Sequence, residues 1–306
     1  MESTRDDISY KNITWVDIAN PTAEDVAALA KKYRFHELDA EDCLNETQRP
    51  KIDEYDRYLF IVLHFPVYNR ATKRIRTAEL DLFIGQNFII TLHDGDLEPI
   101  KNIRENCKRI AGKRALFGRG TGYFLYELTS TLFDSCFPLL DSLWRKANRL
   151  EQAVWESDAA QDLLKEIMIL KRNIITFRRI LSPERQVVAA LEHKNKKFLP
   201  EDLEVYFDDV VDKTEKLWGS LASLKEVSES IQDTNENLIS HRTGNTIKIL
   251  TIFSVILLPL TLISGLFGMN VPIPHANEPI AFWLIAAGML AVVGIMVAFF
   301  QWKRWL

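Results

Sequence analysis

The sequence predicts an α/β domain followed by long helices that lead into two C-terminal membrane-spanning helices. Three observations predict it. Residues 249–300 are 52 positions with one formal charge, Glu278, while the other 254 residues carry 79 of the 80 charges. The first third alternates β-branched and aromatic runs with helical patterns. From Tyr123 onward the pattern is helical almost without interruption. The overall figures, 47% hydrophobic, 26% charged and a net charge of −4, average over this division and hide it. A charged body with an apolar tail excludes a secreted disulfide scaffold, a disordered chain and a simple cytosolic enzyme.

Taken in order, MESTRDDISY at the start has no apolar run and contains acids, so it reads as neither a signal nor a transit peptide. Residues 13–18, 58–65, 79–85 and 87–94 read as strands, with Gly85-Gln86 as a tight turn between the last two. Thr22, after Pro21, starts a helix, and Asp25 completes an imperfect capping box. Residues 37–47 and 97–110 also read as helices. Together these make an α/β domain over 1–117. The run Gly118-Arg119-Gly120-Thr121-Gly122 lacks the spacing of a phosphate-cradling loop and follows a helix rather than a strand, so it reads as a linker.

Long helices fill 118–199, broken or bent near Ser182-Pro183. Pro200 opens a further helix, with Glu201, Asp202 and Glu204 favourable in its first turn. Its soluble stretch is 200–248. Nothing stops it before Gly244, and the pattern continues to Leu266, about 100 Å of helix. One face carries a heptad seam: Leu203, Phe207, Val210, Thr214, Leu217, Leu221, Leu224, Ser228, Ile231, Asn235, Leu238. A second face is small or polar: Gly219, Ser223, Glu226, Ser230, Asp233, Asn237, Ser240, Gly244. It extends through Ile247, Leu250, Ser254, Leu258, Thr261 and Gly265. Around an axis, that stripe lines a conduit, acidic below and constricted above at Leu250 and Leu258, which can gate by dewetting. The alternative is a solvated face below and an ordinary helix contact above.

The last segment, 249–306, holds two spans. Residues 249–267 are 19 uncharged positions, about 28 Å as a helix, and 280–300 are 21 more. The 268–279 loop has no Lys or Arg, whereas Arg242, Lys248, Lys303 and Arg304 flank the spans. The positive-inside rule puts the loop outside and both termini in the cytoplasm, in an inner or plasma membrane. Trp283 and Trp302 are placed as interfacial aromatics against lipid. No basic stripe marks a nucleic-acid partner. Cys43, Cys107 and Cys136 are scattered and read as reduced thiols.

Gly268-Met269-Asn270 ends the first span, and it decides the functional reading. That motif, the two-span C-terminus, the basic tail, the register of KILTIFSVILLPLTLISGLFGMN and the run Tyr206-Phe207-Asp208-Asp209-Val210 resemble the CorA family of magnesium channels. The resemblance implies a CorA-like funnel: a homopentamer with the first spans around one axial pore and Gly268, Met269 and Asn270 as an outer selectivity ring. The chemistry agrees, because carbonyl oxygens suit a hydrated Mg²⁺ and a helix C-terminus is partly negative. Gly268 is expected to turn the backbone there. Asp209 matches a family position for a regulatory divalent cation, with Asp94 and Asp96 as candidate partners.

The loop departs from the family's acidic pattern: it keeps Glu278 and gains His275. A histidine suits Zn²⁺, Co²⁺ or Ni²⁺ better than Mg²⁺. The expected activity is divalent-cation transport, most simply of Mg²⁺, with no cofactor beyond the ion. The alternatives are a zinc, cobalt or nickel transporter on the same fold and a membrane-anchored enzyme. No ionisable group lies in 249–267 for proton coupling. No nucleophile elbow or HExxH motif is present, and the six histidines stand apart.

Overall fold

The protein is described by a computed structural model covering residues 3–45, 48–156, 160–193, 204–269, 279–303 and 305. The chain divides into two compact units, 1–232 and 233–306. In the first unit, strands β1 (Thr4–Tyr10) and β2 (Ile13–Ala19) precede helices α1 (Ala23–Tyr33) and α2 (Glu37–Asp42). Strands β3 (Lys51–Glu54), β4 (Tyr58–Asn69), β5 (Arg74–Gly85) and β6 (Phe88–His93) follow. Then come α3 (Glu98–Asn106), α4 (Ile110–Phe117), α5 (Thr121–Asp134), α6 (Cys136–Glu156) and α7 (Ala160–His193). Helix α8 (Glu204–Phe267) begins in the first unit and ends in the second, which also holds α9 (Pro279–Trp302).

The sheet is mixed, ordered β1-β2-β6-β5-β4-β3, with β2 and β6 parallel and every other pair antiparallel. The apolar runs read as strands are the four central ones. The two edge strands, β1 and β3, carry no such signal, because TRDDISY and KIDE put charges where a buried strand would need apolar residues. Thr22 caps α1 with a complete capping box: its side chain accepts from the Asp25 amide, and Asp25 accepts from the Thr22 amide at 3.0 Å. Gly85 makes the turn into β6 as its sequence suggests, since a Cβ there would collide with the Phe88 ring. Gly120, at φ +99°, caps the start of α5, so the helix-to-helix linker is only 118–120, and Thr121 and Gly122 already belong to α5.

Alternation splits each strand between two layers. Val16, Ile18, Phe60, Val62, Phe83, Ile90 and Leu92 meet Val26 and Leu29 of α1. On the opposite face Trp15 lies edge-on to Phe124 of α5, and Phe65 to Phe133. A buried polar network ties the parallel pair together. Trp15 Nε1 donates to Thr91 Oγ1, which donates to Asp17 at 2.6 Å. His93 Nδ1 accepts from the Gly95 amide, so Nε2 carries the proton and donates to Asp17 at 3.2 Å.

The helical part departs from expectation in two places. Pro183 neither breaks nor ends α7, which runs 34 residues through it. The missing amide bond is offset by fully covered neighbours on both sides: Ile180, Leu181, Val187, Val188 and Leu191 are all buried. Conversely, the helix expected from Tyr123 stops at Asp134 and restarts at Cys136. Pro138 explains the joint, since a proline ring clashes with the carbonyl four residues back, here that of Asp134.

The heptad seam of α8 is buried from Phe207 through Val210, Thr214, Leu217, Leu221, Leu224, Ser228 and Ile231 to Asn235, and half-buried at Leu238. Around it Trp144 donates to Ser220, Arg185 forks onto Glu215, and Arg178 and Arg185 flank the Trp218 ring. Leu203 and the proposed start at Pro200 lie outside the described residues. Among the described residues, two helices are long and apolar enough to cross a membrane: the C-terminal part of α8, and α9. Trp283 and Trp302 stand exposed near the two ends of α9.

Candidate functional site

The second stripe of α8 is the reverse of its seam. Gly219, Ser223, Glu226, Ser230, Asp233, Asn237, Ser240 and Gly244 are all exposed. So are Ile247, Leu250, Ser254, Leu258, Thr261 and Gly265 further along. In the membrane-length part, Ser254, Leu258, Thr261, Gly265 and Met269 share one groove along the helix surface. Leu257 lines it too, so this face is wider than the single file of residues that the periodicity suggests.

The hydroxyls on this helix have a defined polarity. Thr251 donates to the Ile247 carbonyl at 2.8 Å, Ser254 to Leu250 at 2.9 Å and Thr261 to Leu257 at 2.9 Å. With its proton engaged by the backbone, each oxygen offers only lone pairs outward. Such a face accepts hydrogen bonds from the water shell of a cation and offers an anion nothing. Exposed Leu258 lies between Ser254 and Thr261 along the helix, and exposed Leu250 precedes Thr251.

At the end of α8 the Gly268 amide donates to Ser264 O at 2.9 Å, and Met269 is exposed. Gly268 does not have the left-handed conformation expected of a helix-ending glycine. Its requirement is steric instead: a Cβ would lie 3.0 Å from the Ser264 carbonyl oxygen, tighter than ordinary contact. Asn270, His275 and Glu278 lie outside the described residues.

The acids singled out in the first unit are neutralised within the chain. Lys213 Nζ lies 3.3 Å from Asp209 and 2.9 Å from Asp134, and donates to Ser130. Burial works against the Lys213 ammonium, but Asp134 and Asp209 hold its pKa above the ordinary lysine value. Asp94 and Asp96 both bind Arg76. Among the described residues, no three His, Cys, Asp or Glu side chains converge as a metal centre.

Two buried acids escape a reading by motif. Glu184, fully buried on α7, accepts the His64 amide at 2.6 Å, while its Oε2 has no hydrogen-bond partner. His64 lies beyond the last residue that β3 pairs on β4, so the glutamate stands in for a missing strand. Burial holds this carboxyl well above the usual range. Asp81, on β5, has an unpartnered Oδ1, and burial with the charge of Glu79 pushes it up to about 8. The only sequence signal for Asp81 is one acid inside the apolar run ELDLFIG.

A mixed α/β domain, long helices and two apolar C-terminal helices, the first with a small-polar stripe ending in Gly-Met-Asn, define a two-span membrane transporter class. Residues 10–304 match the family model of the CorA-like Mg²⁺ transporter protein, and the chain belongs to that family. It is similar to the cobalt/magnesium transport protein CorA of Thermotoga maritima, 29% identical over 96% of this chain and 83% of that one. It is also similar to that of Methanocaldococcus jannaschii, at 27% over 100% and 96%. The complete structure of the CorA magnesium transporter from Methanocaldococcus jannaschii superposes with a TM-score of 0.86, covering 98% of this chain and 94% of that one.

Proposed function

We propose that the chain is a divalent-cation channel that passes hydrated Mg²⁺ through an axial pore of a homopentamer, with both termini cytoplasmic. The observation that carries this reading is the exposed stripe of α8. Between Phe207 and Asn235 the helix buries one face and leaves the opposite, small and polar face open, and the same stripe continues through Ser254 and Thr261, a surface suited to line a conduit. One two-helix protomer cannot enclose such a path, so copies of the chain must supply its other walls. The path runs from Asp233 and Ser240 through Ile247, Leu250, Ser254, Leu258, Thr261 and Gly265 to Gly268, Met269 and Asn270. Asn270 supplies carbonyl oxygens to the ion's water shell, which Mg²⁺ gives up reluctantly. Asp209, half-exposed, serves as one ligand of a regulatory cation when Lys213 yields it.

The test is flux into liposomes with Mg²⁺, Zn²⁺, Co²⁺ and Ni²⁺ compared side by side. Wild type should pass Mg²⁺, and Asn270→Ala should lose selective uptake while its assembly, read by native mass spectrometry, stays pentameric. Normal selective flux in the variant would remove Asn270 from the filter. A monomer or dimer as the sole species would end the channel reading.

A further inference from the structure

Helix α7 is gripped from two sides at its weakest turn. Pro183 has no amide hydrogen, so the Arg179 carbonyl, four residues back, lacks its helical donor. The next residue, Glu184, is 0% exposed and accepts the His64 amide of β4 at 2.6 Å through Oε1. The one after it, Arg185, forks onto Glu215 of α8 and lies against the Trp218 ring. Consecutive helical residues point about 100° apart, so a single turn holds the sheet edge with one side chain and α8 with the other.

Asn173, about three turns earlier on α7, makes a comparable tie with different chemistry. Buried like Glu184, it accepts the Ile75 amide at 3.0 Å and donates to the Lys73 carbonyl at 3.0 Å, so its acceptor and its donor are both satisfied without charge. Glu184 is half-satisfied: Oε2 is buried without a hydrogen-bond partner, and among the described residues no Lys, Arg or His side chain pairs with the carboxyl. The charged groups on the surrounding elements are engaged with one another. The His64 imidazole meets Glu79 of β5, Lys51 meets Asp53 on β3, Lys146 of α6 meets Glu166 of α7, and Lys213 of α8 meets Asp134 of α5. Glu79 and Asp81 share the strand face of Phe83, which packs towards α1. Cys136 of α6 feels the charge of Glu184, and burial first, then that charge, keep its thiol neutral.

We propose that Glu184 is a proton-operated latch between α7 and the sheet. With its proton, the carboxyl holds the Pro183 turn against the β4 edge. Without it, the turn swings out to bring the carboxylate to water, which frees the His64 amide and loosens the Arg185 grip on α8. Ionised in place, the group would keep one amide donor and leave a charge among the buried Ile180, Leu181, Val187 and Val188. One hydrogen bond returns less than an unpaired buried ion costs in desolvation, so ionisation and release go together. Release is local because this turn has already lost a helical bond at Pro183. Burial raises the folded-state value, so the latch is closed at acid pH. The released fraction then grows about tenfold per pH unit from the ordinary glutamate range up to the raised value. Glu184, His64, Arg185 and Glu215 all lie in the first unit, and the latch is independent of the pore assignment.

The experiment is hydrogen–deuterium exchange read by mass spectrometry on the full-length, detergent-solubilised protein and on Glu184→Gln, between about pH 5 and 8, without urea and in low urea. Glutamine keeps the acceptor for the His64 amide and cannot ionise. Dividing wild-type rates by variant rates cancels the base catalysis of exchange and the titration of His64 itself. In peptides covering 58–66 and 179–188 the quotient should rise about tenfold per pH unit, the equivalent of ~1.4 kcal/mol. It should do so independently of urea, the mark of local rather than global opening. A quotient that stays flat with pH overturns the proposal. A rise carried only by urea-dependent exchange overturns it too, because the titration then belongs to global unfolding. If Glu184→Gln does not fold, wild type decides alone: its exchange in these peptides, corrected for base catalysis, must accelerate with pH, and a constant corrected rate overturns the latch.

Discussion

Leu258→Ser offers the sharpest test of which face of α8 meets the ion. Leu258 is 69% exposed in the protomer, so about a third of its side chain is covered. Full burial of a leucine is worth about 1.5–3 kcal/mol, so no more than about 1 kcal/mol of packing per chain is at stake. In the proposed pentamer the substitution would replace an apolar ring with hydroxyls of the kind that Ser254 and Thr261 already present. A ring that wets no longer holds back a hydrated cation. Each 1.4 kcal/mol removed from the barrier is a tenfold gain, and basal Mg²⁺ flux should rise by at least about that factor. The control is Ile252→Ala. Ile252 is 6% exposed, and truncating such a residue costs about 2–5 kcal/mol of packing, so thermal stability or yield should fall without a rise in flux per assembled protein. Liposome flux with a Mg²⁺-sensitive dye and parallel melting curves read both. If Ile252→Ala opens the pore and Leu258→Ser does not, the faces are assigned wrongly, and Asp233 and Ser240 lose their place on the conduit.

Two other expectations follow from the soluble unit. Millimolar Mg²⁺ should protect wild type from protease and Asp209→Ala should weaken that protection, because a ligand shifts a conformational equilibrium only through the site that discriminates between states; equal protection in both proteins would remove Asp209 from regulation. Glu184 keeps its proton in the folded chain at pH values where the unfolded chain has lost it, so the folded state binds more protons. Stability should therefore fall as pH rises from the ordinary carboxylate range, by ~1.4 kcal/mol per pH unit, until the raised folded value is passed. Glu184→Gln keeps the acceptor for the His64 amide and cannot ionise, so its denaturation midpoint should be flatter with pH than that of wild type. An equally steep profile in the variant would place the titration elsewhere.

Much of the architecture was legible because its signals are local. The apolar runs at β2, β4, β5 and β6, the Thr22 cap, the turn at Gly85 and the two apolar helices each depend on residues near one another in the chain. The seam and stripe of α8 were legible for the same reason, since helical period alone separates the buried Leu217 and Leu221 from the exposed Ser223 and Ser230. What misled was also local: Pro183 is a breaker by its own chemistry, and only burial contributed by other elements keeps α7 whole through it.

The sequence by itself determined the division into a charged body and two membrane-length helices, the seam, and a Gly-Met-Asn motif specific enough to point to the family. These follow from hydrophobic period and span length, which need no partner. The tertiary structure alone decided the sheet order, the edge strands β1 and β3, and the pairing of Asp209 with Lys213 and of Asp94 with Arg76. It alone set Glu184 under the His64 amide, 120 residues away in sequence, and buried the Oδ1 atom of Asp81 without a hydrogen-bond partner. The physical reason is the same in each case. The energy of an ion pair, an edge strand or a buried carboxyl is set by which distant groups the fold brings within a few ångströms, and no pattern along the chain encodes that distance.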